Sequence, residues 1–319
     1  MKPDLQTGYI DLQVNGYVGV DFNDPTSTPE SIERAAEAML GDGVRLALPT
    51  VITASTEDMC RCIRNIVMAM QRFPSARSCF AGIHLEGPFL SPKPGFIGAH
   101  PVEHASPADL GVLESLCEAG GGAVRMVTLD PTVDKDARLT EFCVRQKIRV
   151  AAGHTDASLQ ELERSIEAGL SLFTHLGNAC PQRLDRHDNI ILRALSFQDR
   201  LCYSLIADGT HLPAMIFQSL LRWLPVSRLI VVSDAISAAG LGPGEFTLGK
   251  KRVRVGTDLV VRDPDGDNFA GSAARMKDAD VWLRDAMTLE SLERRKLLCD
   301  NAHAFLHRAP VQPGCMKRH

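Results

Sequence analysis

The feature that most constrains the fold is a repeated alternation along the chain between short apolar runs, rich in β-branched residues, and longer amphipathic stretches. This alternation is typical of β-α units around a parallel sheet. Eight runs are predicted to be strands, at residues 9–14, 45–49, 80–84, 123–128, 148–152, 171–174, 201–207 and 229–233. Eight strands with helical segments between them predict an α/β fold, a closed (β/α)8 barrel of the TIM type. A doubly wound open sheet is the alternative, but residues 15–19 (NGYVG) lack the glycine spacing of a dinucleotide-binding turn.

The 319-residue chain is long enough for one large α/β domain. Residues 1–240 are predicted to form the catalytic barrel. Residues 241–275 are rich in glycine, proline and charge, and are predicted to form β-hairpins and a substrate loop. Residues 276–319 are predicted to form C-terminal helices and a tail that complete the same domain.

Composition and charge argue against several classes of protein. A formal net charge of −4 is unlike the basic surface of a nucleic-acid-binding protein. No run approaches the roughly 18 apolar residues of a membrane span, and the N-terminus has no apolar core of the kind that signal peptides carry. Nine cysteines at irregular spacing do not predict a disulfide framework. These features predict reduced thiols and a cytoplasmic protein.

Polar residues that can bind metals or transfer protons follow six of the eight predicted strands. They are Gln13 and Asn15, His84 and Glu86, His154, His175 and Asn178, Asp208 and His211, and Asp234. The active sites of such barrels lie at the C-terminal ends of the strands, because the βα loops surround that face. The pattern therefore predicts one polar cavity at that end of the barrel.

Three of these residues, Glu86, His154 and His175, form a set of two imidazoles and one carboxylate. Catalytic zinc sites use such sets and keep a further position for water. A single histidine at a strand end is more often an ordinary polar residue, but three such groups at one barrel face favour a metal. His84 shares the strand face of Glu86, so it is predicted either to support the ligands or only to pack inside the barrel.

Asp234 follows an apolar strand and is predicted to be the general base, which takes a proton from water and returns it to the leaving amine. His211 is predicted to donate a hydrogen bond to the scissile carbonyl oxygen as charge develops there. Arg183 and Arg186 lie in the loop after the sixth strand. Arginine binds phosphate through two hydrogen bonds, but composition alone favours a solvated loop.

Short motifs occur in order from about residue 8 to 275. They are YIDLQVNGY at 9–17, GIHLEGPFL at 82–90, GAH at 98–100, AGHTDA at 152–157, FTHLGNACP at 173–181, ADGTHLP at 207–213, VVSDAISAAG at 231–240 and FAGSA at 269–273. Each motif alone is modestly specific, whereas the ordered set is strong. On these motifs the chain resembles the N-acetylglucosamine-6-phosphate deacetylases of the amidohydrolase superfamily.

The resemblance implies a metal-dependent enzyme that removes the acetyl group from N-acetylglucosamine 6-phosphate. It implies Glu86, His154 and His175 as the metal ligands, Asp234 as the acid/base and His211 as the residue that polarises the carbonyl. The residues that it implies in substrate binding are His100, Asn178, Ala179, Arg186, His211, Phe269 and Ala270. The phosphate-binding arginine of the family can reach across a dimer interface, which implies a homodimer.

Gln13 and Asn15 stand where other members of the family carry a His-x-His pair for a second metal. Because neutral amides are poor replacements for imidazole, the resemblance implies one divalent ion per chain. Zinc is the first candidate, and iron, manganese or cobalt are alternatives that such a ligand set also accepts. Gln13, Asn15 and His84 are then expected to contact the ligands or a metal-bound water.

The chain departs from the family pattern mainly on the substrate side. Gly177 replaces the usual aromatic residue of the His-Leu-x-Asn motif, and residues 187–189 (HDN) replace Glu-Pro-Gly. Most of the family's small β-sandwich is expected to be missing. Two alternatives therefore stay open: a deacetylase of another N-acyl sugar or related amide, and a catalytically silent binding paralogue. The intact metal and base residues argue against the silent paralogue.

Overall fold

The computed structural model describes residues 8–257, 260–262 and 269–307, and its centre is a barrel of eight parallel strands. The barrel strands follow one another in sequence order, β1-β4-β5-β6-β7-β8-β9-β10. Their bounds are β1 Tyr9–Val14, β4 Val44–Ile52, β5 Ile83–Glu86, β6 Val124–Leu129, β7 Arg149–Ala152, β8 Leu172–Phe173, β9 Cys202–Ile206 and β10 Leu229–Val232. A parallel bridge between Val14 and Ala235 joins the first strand to the end of the last. The TIM-type barrel is therefore confirmed, and the open-sheet alternative is wrong.

Helices connect most of these strands and cover the outside of the barrel. They are α1 Pro29–Gly41, α2 Thr56–Arg72, α3 Pro74–Cys79, α4 Leu110–Gly120, α5 Arg138–Arg145, α6 Leu159–Glu167, α7 Ile190–Leu195 and α8 Ala214–Trp223. Side-chain caps begin several of them: Ser55 Oγ accepts the Asp58 N–H, and Ser158 with Glu161 forms a capping box. No helix in the described ranges is long and apolar enough to cross a membrane.

The core has two layers, one inside the barrel and one between the barrel and its helices. The inner cluster includes Leu12, Leu48, Ile206 and Ile230, which the strands direct inward. Phe305 belongs to this same cluster. It lies in the C-terminal helical region, α9 Met276–Asp285, α10 Ser291–Arg295, a π-helical turn Lys296–Asp300 and α11 Asn301–His307. These helices therefore share the core of the barrel.

The segment predicted to form hairpins contains a three-stranded antiparallel sheet. Its strands are β11 Gly244–Leu248, β12 Lys251–Val255 and β13 Val261–Arg262. Leu248, Val253 and Val261 pack in one apolar cluster with Ile52 and Ile236, which adjoin the C-terminal ends of barrel strands. The sheet therefore lies beside the polar end of the barrel. A second short ribbon, β2 Gly16–Tyr17 with β3 Val20–Asp21, follows the first barrel strand.

Two barrel strands differ from the sequence prediction in a way that affects the site. The second was predicted to end at Pro49, but it continues through Ile52. Pro49 lies opposite Val14 in the parallel register, and the lost N–H of a proline does not stop a strand there. The third was predicted at 80–84 and instead runs from Ile83 to Glu86. The longer second strand brings Thr53 to the same level as the predicted metal ligands.

Candidate metal and active site

A cavity of about 510 Å³ lies at the C-terminal ends of the barrel strands. The predicted metal ligands and catalytic residues all line it, namely Glu86, His154, His175, His211 and Asp234. Predicted substrate residues also line it, namely His100, Asn178, Ala179 and Phe269. The fold thus brings together residues that are as far apart in the sequence as Asn15 and Gly271.

The predicted metal ligands converge on one point. Nε2 of His175 lies 3.0 Å, and Nε2 of His154 3.4 Å, from Oε1 of Glu86. Ligand atoms around a tetrahedral ion with bonds of about 2.0–2.1 Å are separated by about 3.4 Å, so the spacing fits one ion. The Nδ1–H of His154 donates to the Phe96 carbonyl oxygen at 2.9 Å, which leaves the Nε2 lone pair for a metal. Among the described residues, no other group of His, Cys, Asp and Glu meets the same spacing.

Three of the site residues have an unusual backbone conformation. His154, His175 and Asp234 each lie two residues beyond the end of a barrel strand, with φ of 52°, 30° and 48°. For residues other than glycine this left-handed region costs about 1–3 kcal/mol, and such strain is often found at functional sites. At these three positions the backbone turns away from the strand direction. Each side chain therefore lines the cavity and does not continue the strand pattern, in which successive side chains point to opposite faces of the sheet.

The carboxylate of Glu86 is held by polar side chains from several strands. Gln13 Nε2 donates to its Oε1 at 2.8 Å, and Gln13 Oε1 in turn accepts the Thr174 hydroxyl at 2.8 Å. His100 Nε2 lies 3.6 Å from the other oxygen. Burial alone would raise the pKa of Glu86, but the imidazoles of His100, His154 and His175 close to its carboxylate lower it well below its ordinary value. Glu86 is therefore an anion, as a metal ligand has to be.

Asp234 lies half-buried in the cavity wall, where Asn15 Nδ2 donates to its Oδ1 at 2.8 Å. Burial and the charge of Glu86 raise the pKa of Asp234 to about 6. A general base works best when its pKa is close to the working pH. The Oδ1 of Asn15 is buried and has no hydrogen-bond partner among the described residues. It is thus available to a donor within the cavity.

His211 is oriented by an aspartate that the sequence reasoning did not assign. Nδ1 of His211 lies 2.6 Å from Oδ2 of Asp208, whose Oδ1 accepts the N–H groups of Thr210 and His211. Although burial alone would raise the pKa of Asp208, the hydrogen bond and charge of His211 lower it. An Nδ1–H donated to Asp208 leaves Nε2 of His211 for the cavity. Asp208 follows the seventh barrel strand, three residues before His211, and that position was the signal for it.

The loop after β8 forms another wall of the cavity. Asn178 Nδ2 donates to the His175 carbonyl oxygen at 3.2 Å, and Ala179 has a left-handed φ of 51°. Gly177 has φ of 91°, and a Cβ there would lie 3.0 Å from Leu212 Cδ2. An L side chain is strained at this φ, so this backbone favours glycine over the aromatic residue of the family pattern.

Three residues that were predicted to bind substrate lie in different environments. Phe269 lines the cavity and packs on His211, with ring centroids 4.9 Å apart. Ala270 is buried in the apolar cluster beside the three-stranded sheet and is not one of the cavity-lining residues. Arg186 and its neighbour Arg183 are exposed in the loop before α7, where neither lines the cavity.

His84 and His100 have different surroundings although both are fully buried. His84 Nε2 pairs with Thr128 Oγ1 at 2.8 Å and its Nδ1 with the Leu12 carbonyl at 3.2 Å. Burial lowers the pKa of His84 to about 4, so the ring is neutral and packed below the site. His100 Nδ1 lies 2.9 Å from Thr53 Oγ1. Thr53 was not among the predicted site residues, because the second strand was predicted to end at Pro49 and instead runs through Ile52.

The chain is similar to known deacetylases over most of its length, although no protein-family model matches it. It is 34% identical over 289 residues to the N-acetylglucosamine-6-phosphate deacetylase of Homo sapiens, covering 88% of this chain and 68% of that protein. It is 30% identical over 270 residues to the N-acetylgalactosamine-6-phosphate deacetylase of Escherichia coli O157:H7, covering 84% and 69%. A mutant N-acetyl-D-glucosamine-6-phosphate deacetylase of Mycobacterium smegmatis, solved in complex with N-acetyl-D-glucosamine-6-phosphate, matches with a TM-score of 0.84. That match has 27% identity and covers 94% of this chain and 77% of the other.

Proposed function

Because the chain belongs to the N-acetylglucosamine-6-phosphate deacetylase family, we propose that it hydrolyses N-acetylglucosamine 6-phosphate to glucosamine 6-phosphate and acetate. The observation that supports this best is one cavity lined both by Asp234 and by the Glu86, His154 and His175 set. A base beside a metal site is one of the arrangements by which enzymes hydrolyse unreactive amides.

In the proposed mechanism, Glu86, His154 and His175 hold one divalent ion, which supplies Lewis-acid chemistry when bound. Asp234 accepts a proton from the attacking water as the new C–O bond forms at the acetyl carbon. His211, with a proton on each ring nitrogen, donates its Nε2–H to the carbonyl oxygen as negative charge develops there, while its Nδ1–H stays bonded to Asp208. Asp234 then delivers the proton to the amide nitrogen as the C–N bond breaks, which releases acetate and the free amine.

Zinc is the ion that we propose first, because two imidazoles and one carboxylate form a common catalytic zinc set. Iron, manganese or cobalt are the alternatives that the same ligands accept. We also propose a cytoplasmic location. Six cysteines in the described part of the chain are free thiols, as expected of a reducing compartment, namely Cys60, Cys62, Cys79, Cys117, Cys143 and Cys180.

A second candidate substrate is a different N-acetylated sugar phosphate. The observation that favours it is Gly177, which leaves no side chain on the cavity wall where the family pattern has an aromatic ring. The similarity to a galactosamine-specific relative agrees with a family whose members differ in the sugar that they accept. A silent binding paralogue is the weaker reading, because binding alone does not require the metal set together with Asp234.

The experiment that tests the function is acetate release with metal analysis of the same purified sample. The substrates are N-acetylglucosamine 6-phosphate, N-acetylgalactosamine 6-phosphate and unphosphorylated N-acetylglucosamine. We expect rapid release from the first, with about one ion per chain, as a three-ligand catalytic site implies. Faster release from N-acetylgalactosamine 6-phosphate would make that sugar the proposed substrate instead. Bound metal without turnover of any of the three sugars would exclude them as substrates. A sample with neither bound metal nor turnover would favour the silent paralogue.

We propose that Arg186 binds the 6-phosphate across the interface of a homodimer. Arg186 is exposed and does not line the cavity of its own chain, as expected if it reaches into the cavity of a second subunit. The large apolar side chains of Met215 and Trp223 on α8 are 70% and 64% exposed, which supports burial against a second copy.

Replacing Arg186 with Ala is expected to raise KM for N-acetylglucosamine 6-phosphate by about 10–100-fold, with little change in kcat. The reason is the loss of a charge-assisted hydrogen bond worth about 1.5–3 kcal/mol. Steady-state kinetics measure both constants, and KM for the unphosphorylated sugar should not change. Arg183→Ala, three residues away, is the control for a general effect of loop charge. An equal rise in KM in both variants would contradict a specific contact between Arg186 and the phosphate.

A further inference from the structure

A buried carboxylate that the proposed mechanism does not use lies in the first barrel strand. Asp11 is 1% exposed, and burial raises its pKa to about 7. An ionisable group in the interior is unfavourable unless its hydrogen bonds are satisfied. The hydrogen bonds of Asp11 therefore indicate its role in the structure.

Asp11 joins the first barrel strand to the last through Ser233. Its Oδ1 accepts the Ser233 N–H at 3.1 Å, and its Oδ2 accepts the Ser233 hydroxyl at 2.5 Å. The Ser233 Oγ in turn accepts the Ala235 N–H at 3.1 Å. The residues immediately before and after Asp234 are thus tied, directly or through one hydroxyl, to the same buried carboxylate.

Asp234 itself has the left-handed φ of 48°, a conformation that is uncommon outside glycine, although aspartate adopts it more often than most residues. Its N–H donates to the Gln13 carbonyl at 3.0 Å, and its carbonyl accepts the Ser272 N–H at 2.9 Å. These two bonds restrain Asp234, and the Ala235 carbonyl accepts the N–H groups of Asn15 and Gly16 at 2.6 and 3.1 Å. Asp11 adds the bonds to Ser233 and, through the Ser233 hydroxyl, the restraint on the Ala235 N–H. Without that anchor, the backbone of Asp234 can relax to a right-handed conformation that moves its carboxylate.

We propose that Asp11 is a positioning residue for the reaction, which acts through Ser233 to keep Asp234 in the backbone conformation that directs its carboxylate into the cavity. This inference rests on the proposed function, in which Asp234 is the base. Asp11 contacts neither substrate nor metal in this role.

The test is Asp11→Ala, compared with Asp11→Asn and with Ser233→Ala. A base displaced by about 1 Å can cost about 100-fold in rate. We expect Asp11→Ala to lower kcat by about 10–100-fold with an unchanged KM and normal metal content. Asp11→Asn retains an acceptor for the Ser233 N–H and should recover part of kcat. Since both act on one element, the effects of Asp11→Ala and Ser233→Ala should be less than additive in the double variant.

Asp134→Ala is a matched control, because Asp134 is equally buried and accepts two backbone N–H groups and one hydroxyl, from Leu139 and Thr140. Asp11 likewise accepts the N–H groups of Gln13 and Ser233 and the Ser233 hydroxyl. It should lower the melting temperature without changing kcat per metal-loaded chain. A kcat for Asp11→Ala within twofold of the wild type would overturn the proposal. Crystal structures of both variants test it without activity: Asp234 should leave its left-handed conformation in Asp11→Ala alone. An unmoved Asp234 would overturn the proposal, whereas an inactive wild type would overturn only the proposed function.

Discussion

Asp234→Asn is expected to lower kcat by about 10²–10⁴-fold, the range typical of losing a general base. Asn keeps the shape of the side chain and can still accept the hydrogen bond from Asn15. Glu86, His154 and His175 are untouched, so the metal content should stay near that of the wild type. Steady-state kinetics and elemental analysis of the same sample measure both quantities.

The pH dependence of the reaction provides a second readout for Asp234. Burial and the charge of Glu86 raise the pKa of Asp234 to about 6. Because the base must be deprotonated, wild-type kcat should fall as the pH drops below about 6, and a bound cation would move this limb to lower pH. The residual turnover of Asp234→Asn should lack the limb. Asp134→Asn, at a buried aspartate elsewhere, should keep both kcat and the limb. Wild-type turnover in Asp234→Asn would show that another group is the base.

His175→Ala is expected to lose both the metal and the activity. Removing one of three protein ligands leaves a set of one imidazole and one carboxylate, which binds a divalent ion much more weakly. We expect the metal content to fall from about one ion per chain to nearly zero, and kcat to fall by at least about 100-fold, as the loss of Lewis-acid chemistry implies. The rise in Tm on adding metal to the wild type should also disappear, because that rise comes from binding to the folded state.

His104→Ala is the control for this loss, since His104 lies in the short 3-10 helix Val102–His104 and is not part of the metal set. It should keep the metal, the activity and the metal-dependent rise in Tm. Retention of a full complement of metal by His175→Ala would mean that the ion is held elsewhere. Loss of metal from His104→Ala as well would point to a general instability of the preparation.

The barrel and most of its site could be predicted from local sequence. Alternating apolar and amphipathic runs identify β-α units, and parallel strands of one barrel expose their C-terminal ends on one face. That rule was enough to place Glu86, His154 and Asp234 around one cavity, since each follows an apolar run directly. The least accurate predictions were strand ends, as at Pro49, where pairing with a neighbouring strand outweighs the local signal.

The side chains that support the site were harder to find. Thr53, Asp208 and Asp11 hold His100, His211 and the backbone around Asp234. Asp208 was visible as a polar residue at a strand end, but a single aspartate there has no pattern that indicates a partner. Asp11 lies inside a strand, and nothing in its neighbours along the chain indicates that Ser233 is its partner, 222 residues away.

Residue types and the period of the apolar pattern were enough to predict the kind of fold, the types of ligand and base, and the face of the barrel on which they meet. Three other properties are evident only in the folded chain: the spacing of the Glu86, His154 and His175 atoms, the left-handed turn at Asp234 and the exposure of Arg186. These properties depend on which strands lie side by side and on hydrogen bonds between distant residues. Such pairings are set by packing of the whole chain, which no local pattern specifies.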